Sequence, residues 1–330
     1  MSNRLMRAGL TVVAVLALAL PVAAQTKTAK PPRTPDGKPS LEGTFNFATI
    51  TPLQRPQQLA GKTVLTDEER AAFEQSENTR QNRDLFDPEK GQPSAGYPGR
   101  ADGGVLSYNE FWYERGNKMT ADKRTSLITE PADGRIPMTP EVARKSAQNG
   151  RDMYLGLAND YEDRTLADRC LMGFNAGPPM HPGAYNNNLQ IVQTPKYLVI
   201  MTEMVHTARI IPINGGPHGT LRKWNGDSRG RWEGDTLVVE TINFNRETSL
   251  PGSSRETKLV ERFTRVDDDT IKYEFTVTDP TTYTRPWSAM FPLSKTDAPL
   301  YEYACHEGNY AMAGILKGAR LEERVKTKTR

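Results

Sequence analysis

Apolar and polar residues alternate along the second half of the chain, beginning near Leu189. In residues 271–278 the odd positions are apolar and the even positions are polar. A period of two is typical of strands with one buried face. Several such strands, joined by turns and not by helices, predict an antiparallel meander that closes into a lipocalin-like (calycin-like) β-barrel over residues 189–330. The predicted fold class is therefore mainly β.

The pattern predicts eight strands and a final helix in this part of the chain. The strands cover residues 189–193, 197–213, 230–232, 236–244, 259–266, 271–278, 287–293 and 300–304, and the helix runs from about Tyr310 to Arg324. Residues 41–188 lack this regularity and predict an irregular region with a short first strand and short helices. One helix begins at the capping box of Thr66 and Glu69, and another is expected at Thr139-Pro140-Glu141.

The first 24 residues have the pattern of a cleavable signal peptide. Arg4 and Arg7 precede an apolar run, Ala8 to Leu20, which is followed by small residues ending at Ala24. A retained membrane anchor is the alternative, but a membrane-spanning helix needs roughly 20 apolar residues. We therefore expect a periplasmic or extracellular protein that has no integral membrane segment after cleavage. Residues 25–40, rich in lysine, proline and threonine, predict a disordered tail.

Composition narrows the class of partner. Removing both leader arginines lowers the formal net charge from +3 to +1, which argues against nucleic acid as a partner. Glycine-rich phosphate loops and dinucleotide fingerprints do not occur in the sequence. A small-molecule ligand or substrate is the expected partner, and no cofactor is predicted.

Cys170 and Cys305 are the two cysteines of the chain. In an oxidising compartment the expected arrangement is one disulfide that closes a long loop. The alternative is a nucleophilic thiol at Cys305 beside His306, which is rarer in that compartment. The expected disulfide would bring the region before the barrel close to His306 and Glu307.

Strand phase predicts which polar side chains face the barrel interior. Asp279 continues the odd, apolar phase of residues 271–277 and is expected at the rim of the interior. In residues 197–213 the even phase is mainly apolar and includes His206, whereas Glu203 and Arg209 take the odd phase. His206 is therefore a candidate general acid or base, with a buried structural histidine as the alternative.

Other polar blocks have both a structural and a binding interpretation. Asn187 lies in an asparagine run that forms turns as readily as it binds oxygen-rich ligands. Arg229 and Arg231 either bind an anionic or aromatic ligand or hold a hairpin through salt bridges and cation–π contacts. His206, His218 and His306 form an alternative metal-binding set, although their spacing matches no helical zinc motif.

Several blocks together resemble a family of secreted proteins common in soil bacteria. They are YNNN at 185–188, EMVHTARIIP at 203–212, GDSRGRWEGDTL at 226–237, VERFTR at 260–265, DPTT at 279–282, RPW at 285–287 and YEYACHEGNY at 301–310. The resemblance covers most of the chain after the leader. It favours His206, His218 and His306 over His181 and implies no particular activity.

These observations predict an enzyme that carries out acid–base chemistry as an isomerase, lyase or hydrolase. The substrate expected is a small, partly apolar, oxygenated metabolite. The candidate catalytic residues are His206, His306, Asp279 and Glu307, and the candidate substrate-binding residues are Arg209, His218, Arg229, Arg231, Asn187 and Tyr310. The alternative function is a lipocalin-like binding protein without catalysis. An adhesion module would need an exposed aromatic surface, for which residues 108–113 are the candidate.

Overall fold

The computed structural model describes residues 31–85, 110–145, 158–245, 250 and 253–328. The predicted signal peptide and residue Tyr108 lie outside these ranges. The strands are β1 (Gly43–Asn46), β2 (Ile128–Glu130), β3 (Asn188–Gln193), β4 (Tyr197–Thr202), β5 (Ala208–Pro212), β6 (Asp227–Glu233), β7 (Thr236–Ile242), β8 (Lys258–Arg265), β9 (Thr270–Thr278) and β10 (Trp287–Lys295). The two long helices of the described residues are α1 (Asp67–Gln81) and α2 (Ala311–Lys328).

Nine of the strands form a nearly closed antiparallel barrel, which confirms the predicted fold class. Their order is β5-β4-β3-β1-β10-β9-β8-β7-β6, and β2 pairs with β10 outside this path. The two end strands meet through an isolated parallel bridge between Ile213 and Gly230. There the N–H of Asn214 donates to the carbonyl of Gly230 at 2.8 Å. Because this contact is only a bridge, the barrel is least regular between β5 and β6.

Side chains fill the barrel interior. The strands β8, β9 and β10 bury alternate residues, as the sequence pattern predicts. Pairing places Phe263, Tyr273 and Phe291 side by side across the three strands, and their rings lie 5.0 and 5.1 Å from that of Tyr273. All three side chains are buried. Close aromatic packing of this kind leaves the middle of the barrel to side chains, not to a large ligand.

The predicted strand 197–213 is wrong as one continuous element, because the chain reverses within it. Residues 197–202 and 208–212 pair with each other as an antiparallel hairpin. Val205 and His206 have φ values of 60° and 50°, and this left-handed backbone makes the turn. After the turn the buried phase changes from even to odd. Arg209 is consequently buried and Ile210 exposed; before and within the turn, Glu203 is buried and His206 exposed.

The region before residue 189 is more closely joined to the barrel than its composition indicates. The strand β1 lies between β3 and β10, so the boundary at 188 divides a single sheet. Residues 33–39, predicted as part of a disordered tail, form a turn in which Arg33 pairs with Asp235 at 2.6 Å. The Thr66–Glu69 capping box begins α1, as predicted. Residues 140–145 are helical, again as predicted.

The last part of the chain departs from the prediction at one strand. Residues 300–304 form no strand, because their backbone N–H groups are held by side chains at the β4–β5 turn and not by a neighbouring strand. The terminal helix is confirmed as α2, and the Cys170–Cys305 disulfide is confirmed with Cα atoms 5.7 Å apart. None of the helices described is long and apolar enough to cross a membrane.

Candidate functional site

The segment from Tyr301 to Tyr310 is fastened to the barrel at three points. The N–H of Tyr301 donates to Glu203 Oε1 at 3.1 Å. The N–H of Tyr303 donates to His206 Nδ1 at 2.9 Å. The disulfide then joins Cys305 to Cys170. These attachments place the following residues, 306 to 309, beside the loop that contains Cys170.

A cleft of about 310 Å³ lies at this junction. We call it the disulfide cleft; its lining residues come from residues 161–171 and 306–312. Its polar members are Asp168, Arg169, His306 and Asn309, and its apolar members include Tyr161, Leu171 and Met312. Small-molecule sites typically have volumes of roughly 300–1,000 Å³ and combine apolar walls with a few polar groups. The disulfide cleft has both properties.

The charged groups of the disulfide cleft differ in how far they are already paired. Asp168 forms an ion pair with Arg164 at 3.1 Å. The Arg169 guanidinium lies over the Tyr161 ring at 5.2 Å and over the Trp224 ring at 5.7 Å. Stacking on two rings orients a guanidinium while its N–H groups keep their capacity to donate. Arg169 is therefore a positioned cation at the edge of the cleft.

His306 is exposed, and within the described ranges its imidazole makes no hydrogen bond or ion pair with the protein. Asn309 donates to Cys170 Sγ at 3.4 Å, which holds the turn after His306 against the disulfide. An imidazole in this position has both ring nitrogens available to a bound molecule. Imidazole side chains are common general acids and bases in enzymes.

His206, the first candidate from strand phase, occupies a different position. It is exposed beside the β4–β5 turn and not directed into the barrel. Because Nδ1 accepts from the N–H of Tyr303, the neutral ring carries its proton on Nε2. The sequence prediction paired His206 with Asp279 or Glu307, and the described contacts bring it to neither carboxylate. The histidine instead anchors the segment that carries His306.

Asp279 is buried, as its strand phase predicts, but its carboxylate is fully used within the protein. Oδ2 accepts from the hydroxyls of Ser254 and Thr257 at 2.8 and 2.9 Å. Oδ1 accepts from the hydroxyl of Thr281 at 2.7 Å. Burial favours a higher pKa for Asp279, yet these hydrogen bonds outweigh it and hold the pKa below its usual value. The residue closes the loop after β9.

Arg209 and Glu261 form a buried ion pair inside the barrel. Arg209 Nη2 donates to Glu261 Oε2 at 2.8 Å, and the two side chains are 9% and 0% exposed. The Tyr273 hydroxyl donates to Glu261 Oε1 at 2.7 Å. Burial, followed by the negative charge of Glu261, raises the pKa of Tyr273 well above its usual value. The phenol therefore remains protonated and donates to the carboxylate.

His218 and Arg229, both candidates for substrate binding, meet at Asp227. His218 Nδ1 lies 3.2 Å from Asp227 Oδ2, and Arg229 Nη1 donates to Asp227 Oδ1 at 2.9 Å. Burial favours a higher pKa for Asp227, but the Gly219 N–H and Arg229 outweigh it and lower the pKa. Arg231 pairs separately with the exposed Glu233 at 2.7 Å. The contacts of both arginines correspond to the predicted hairpin interpretation.

The remaining candidates divide between the turn before β3 and the segment after the disulfide. Asn187 is fully buried, and its amide donates to the carbonyls of Glu114 and Gly183. Its amide thus stabilises a turn. Glu307 and Tyr310 are exposed near the disulfide cleft without lining it.

The three histidines of the alternative metal set occupy separate environments. Over the described ranges, His, Cys, Asp and Glu side chains form no group of three or more that is arranged to hold a metal ion. His206 contacts Tyr303, His218 contacts Asp227, and His306 lines the disulfide cleft. These positions bring no two of the three together as ligands.

The sequence analysis did not predict the residues that line the cleft together with His306, nor the buried Glu261. A signal for each is present in the chain. Asp168 and Arg169 directly precede Cys170, so the predicted disulfide already implies that they lie near His306. Glu261 shares the odd, buried phase of Leu259 and Phe263, where a charge requires a partner.

The disulfide cleft is the region of the described structure where a candidate from the sequence, His306, meets other polar groups around open space. The other candidates mainly make contacts that hold the chain together. Comparison of the chain with protein-family models, with curated proteins and with solved structures found no match.

Proposed function

We propose that this chain binds a small, partly apolar, oxygenated molecule in the disulfide cleft and transfers a proton on it through His306. The observation that carries the proposal is the combination of groups around one space of about 310 Å³. An imidazole, a stacked guanidinium and a carboxylate line it together with apolar side chains. Proton-transfer chemistry requires a group that titrates near neutral pH, and imidazole is such a group.

Each lining residue has a role that follows from its contacts. His306 acts as the general base or acid, because its ring nitrogens are not engaged by the described protein. Arg169 stabilises negative charge on an oxygen of the substrate. Tyr161, Leu171 and Met312 contact the apolar part of the molecule. The reaction classes consistent with these roles are isomerisation, elimination and hydrolysis.

Arg209 and Arg229, which the sequence predicts to bind substrate, fit this role less well than Arg169. Arg209 is buried against Glu261, and Arg229 is paired with Asp227. Moving either guanidinium to a substrate would leave a carboxylate without its partner. Arg169 makes its described side-chain contacts with aromatic rings, so it can bind an anionic oxygen without breaking an ion pair.

We also propose that the protein works outside the cytoplasm. A structural disulfide at the candidate site supports this, since such bonds persist in oxidising compartments. The predicted signal peptide would provide the route of export. The disulfide would then have a direct role, because it joins the two segments that bring His306 and Arg169 to one cleft.

The test compares turnover by the wild type and by His306→Gln, which keeps the approximate size of the side chain and removes the imidazole. Purified proteins are incubated with a fractionated soil-metabolite extract, and substrates and products are followed by mass spectrometry. The matched control is Glu307→Gln, because Glu307 is the next residue and does not line the cleft. We expect conversion by the wild type and the control, and a loss of at least about 100-fold in His306→Gln.

Two outcomes would contradict the assignment. Equal conversion by the wild type and His306→Gln would exclude this imidazole as the proton-transfer group. Binding of a metabolite by both proteins, without conversion by either, would instead indicate a carrier. Because side chains fill the barrel interior, we would then expect the ligand of such a carrier in the disulfide cleft and not in the middle of the barrel, where a lipocalin binds its ligand.

A further inference from the structure

The terminal helix α2 has one face that contacts the rest of the chain and an opposite face that is open to solvent. On the first face, Met312 lines the disulfide cleft, and Arg320 donates to the carbonyl of Ala158 at 2.9 Å. On the opposite face, Leu321 and Val325 are 63% and 56% exposed. Large apolar side chains gain free energy when they leave water. We call this second side the outer face of α2.

Two glycines extend the outer face toward the start of the helix. Gly314, Gly318, Leu321 and Val325 follow one another at intervals of four, three and four residues, which is the spacing of a helix side that packs against another helix. A Cβ at either glycine would meet no atom within 4 Å, so the fold of one chain does not require glycine there. Glycine destabilises a helix relative to alanine. A second helix that approaches closely would account for both glycines.

Charged residues lie on both flanks of the outer face. Lys317 is exposed on one flank, and Glu322 is exposed on the other, five positions later in the chain. Within the described ranges neither side chain forms an ion pair, whereas Arg320 and Glu323 pair with each other at 2.7 Å. The outer face therefore carries a positive and a negative charge that a partner could neutralise.

The positions of these charges favour one partner and one direction. When two identical helices pack in parallel, each flank meets the opposite flank of the partner, and a residue lies near the one five positions later in the other helix. Lys317 of each copy would then meet Glu322 of the other copy. In an antiparallel pair identical flanks meet, so the two copies of Lys317 would lie on the same side of the contact and repel each other.

We propose that the outer face of α2 binds the same face of a second copy of this chain, with the two helices parallel. Leu321 and Val325 of both copies form the apolar centre of the contact. Two ion pairs between Lys317 and Glu322 flank this centre. The surface is small, so the dimer is weak and forms only at high protein concentration. The contact is separate from the proposed proton transfer and uses neither His306 nor a ligand.

The association constant of the purified protein is measured by sedimentation equilibrium from about 1 µM to about 1 mM. We expect the wild type to dimerise within this range. Leu321→Gln should lower the association constant at least about tenfold, because glutamine preserves the helix and removes the apolar contact.

Exchange of the two charges tests the direction of the helices. Lys317→Glu and Glu322→Lys should each lower the association constant at least about threefold, since each places like charges opposite one another. The double variant Lys317→Glu/Glu322→Lys should return to within about twofold of the wild type. Lys326→Glu is the matched control, because it makes the same change of charge on α2 outside the outer face. It should also stay within about twofold of the wild type.

Three results would overturn the proposal. A wild type that remains monomeric at about 1 mM would exclude the dimer, and retention of that monomer on anionic lipid vesicles would indicate a membrane surface as the partner. Stronger association of Lys317→Glu would indicate an antiparallel pair. A double variant that associates as weakly as the single variants would show that the two residues do not pair. None of these measurements depends on turnover in the disulfide cleft.

Discussion

Removing the charge of Glu261 should reveal how strongly the barrel depends on its internal ion pair. In Glu261→Gln the side chain keeps its shape, but the guanidinium of Arg209, 9% exposed, loses its counter-charge at 2.8 Å. Breaking a buried pair by removing one partner typically costs about 3–5 kcal/mol of the free energy of unfolding. Because whole domains are stable by about 5–15 kcal/mol, the loss should be easily measured.

The double variant Arg209→Met/Glu261→Gln should recover part of this loss, since no unpaired charge then remains buried. We expect a coupling free energy of about 2–3 kcal/mol between the two positions from the double-mutant cycle. The free energy of unfolding is measured by urea denaturation, with tryptophan fluorescence as the signal and one m value for all variants. The result applies to the folded barrel, because both residues lie within it.

The pair of Lys272 and Glu274 provides the matched control. These residues flank Tyr273 on the outer face of β9, and their side chains are 41% and 32% exposed. Their coupling free energy should be about 0–1 kcal/mol, since solvent screens exposed pairs. A coupling free energy between Arg209 and Glu261 no larger than this control value would refute the conclusion that the stability of the barrel depends on this buried ion pair.

Three further predictions concern packing, the disulfide and pH. Gly173→Ala should destabilise the fold by about 1–3 kcal/mol in urea unfolding, because the added Cβ would lie 2.0 Å from Met204 Cγ; unchanged stability would contradict this packing. Replacing Cys170 and Cys305 by alanine should lower the free energy of unfolding by up to about 5 kcal/mol, because the unfolded chain then no longer contains a closed loop between cysteines 135 positions apart. A decrease below about 1 kcal/mol would contradict that estimate. Burial opposes ionisation of Glu74, but hydrogen bonds from Met119, Lys118 and Arg70 outweigh it and lower the pKa to about 2. The stability that ionised Glu74 contributes is therefore present above the ordinary value of 4.5 and lost as pH falls toward 2. The free energy of unfolding should decrease less steeply with falling pH in Glu74→Gln than in the wild type. The same pH dependence in both proteins would contradict the assignment.

The local sequence pattern predicts one part of the candidate site and not the rest. The sequence alone predicts the disulfide, so it also predicts that Cys170 and His306 are neighbours. It does not reveal that the space beside them is open, because a cleft depends on which surfaces the other loops leave uncovered. Arg169 is a candidate because its guanidinium lies over two rings, one of them that of Trp224. Such contacts join residues far apart in the chain.

The assignment of inward and outward faces has the same limit. Phase predicts the buried residues of β9 correctly, because that strand is uninterrupted from Thr270 to Thr278. It fails at His206, where a left-handed turn inserts residues and changes the phase of the following strand. Arg209 consequently faces the interior instead of solvent. A period of two predicts which side chains are buried only as long as the strand continues without interruption.

The sequence by itself determines the local elements of this protein: the alternating strands, the capped start of α1 and the terminal helix. These depend on neighbouring residues and on hydrogen bonds within a few positions. Only the tertiary structure decides that β1 lies between β3 and β10, that Glu261 meets Arg209, and that His306 borders a cleft. These features arise from contacts between distant segments, whose partners are chosen by the packing of the whole barrel and not by any local pattern.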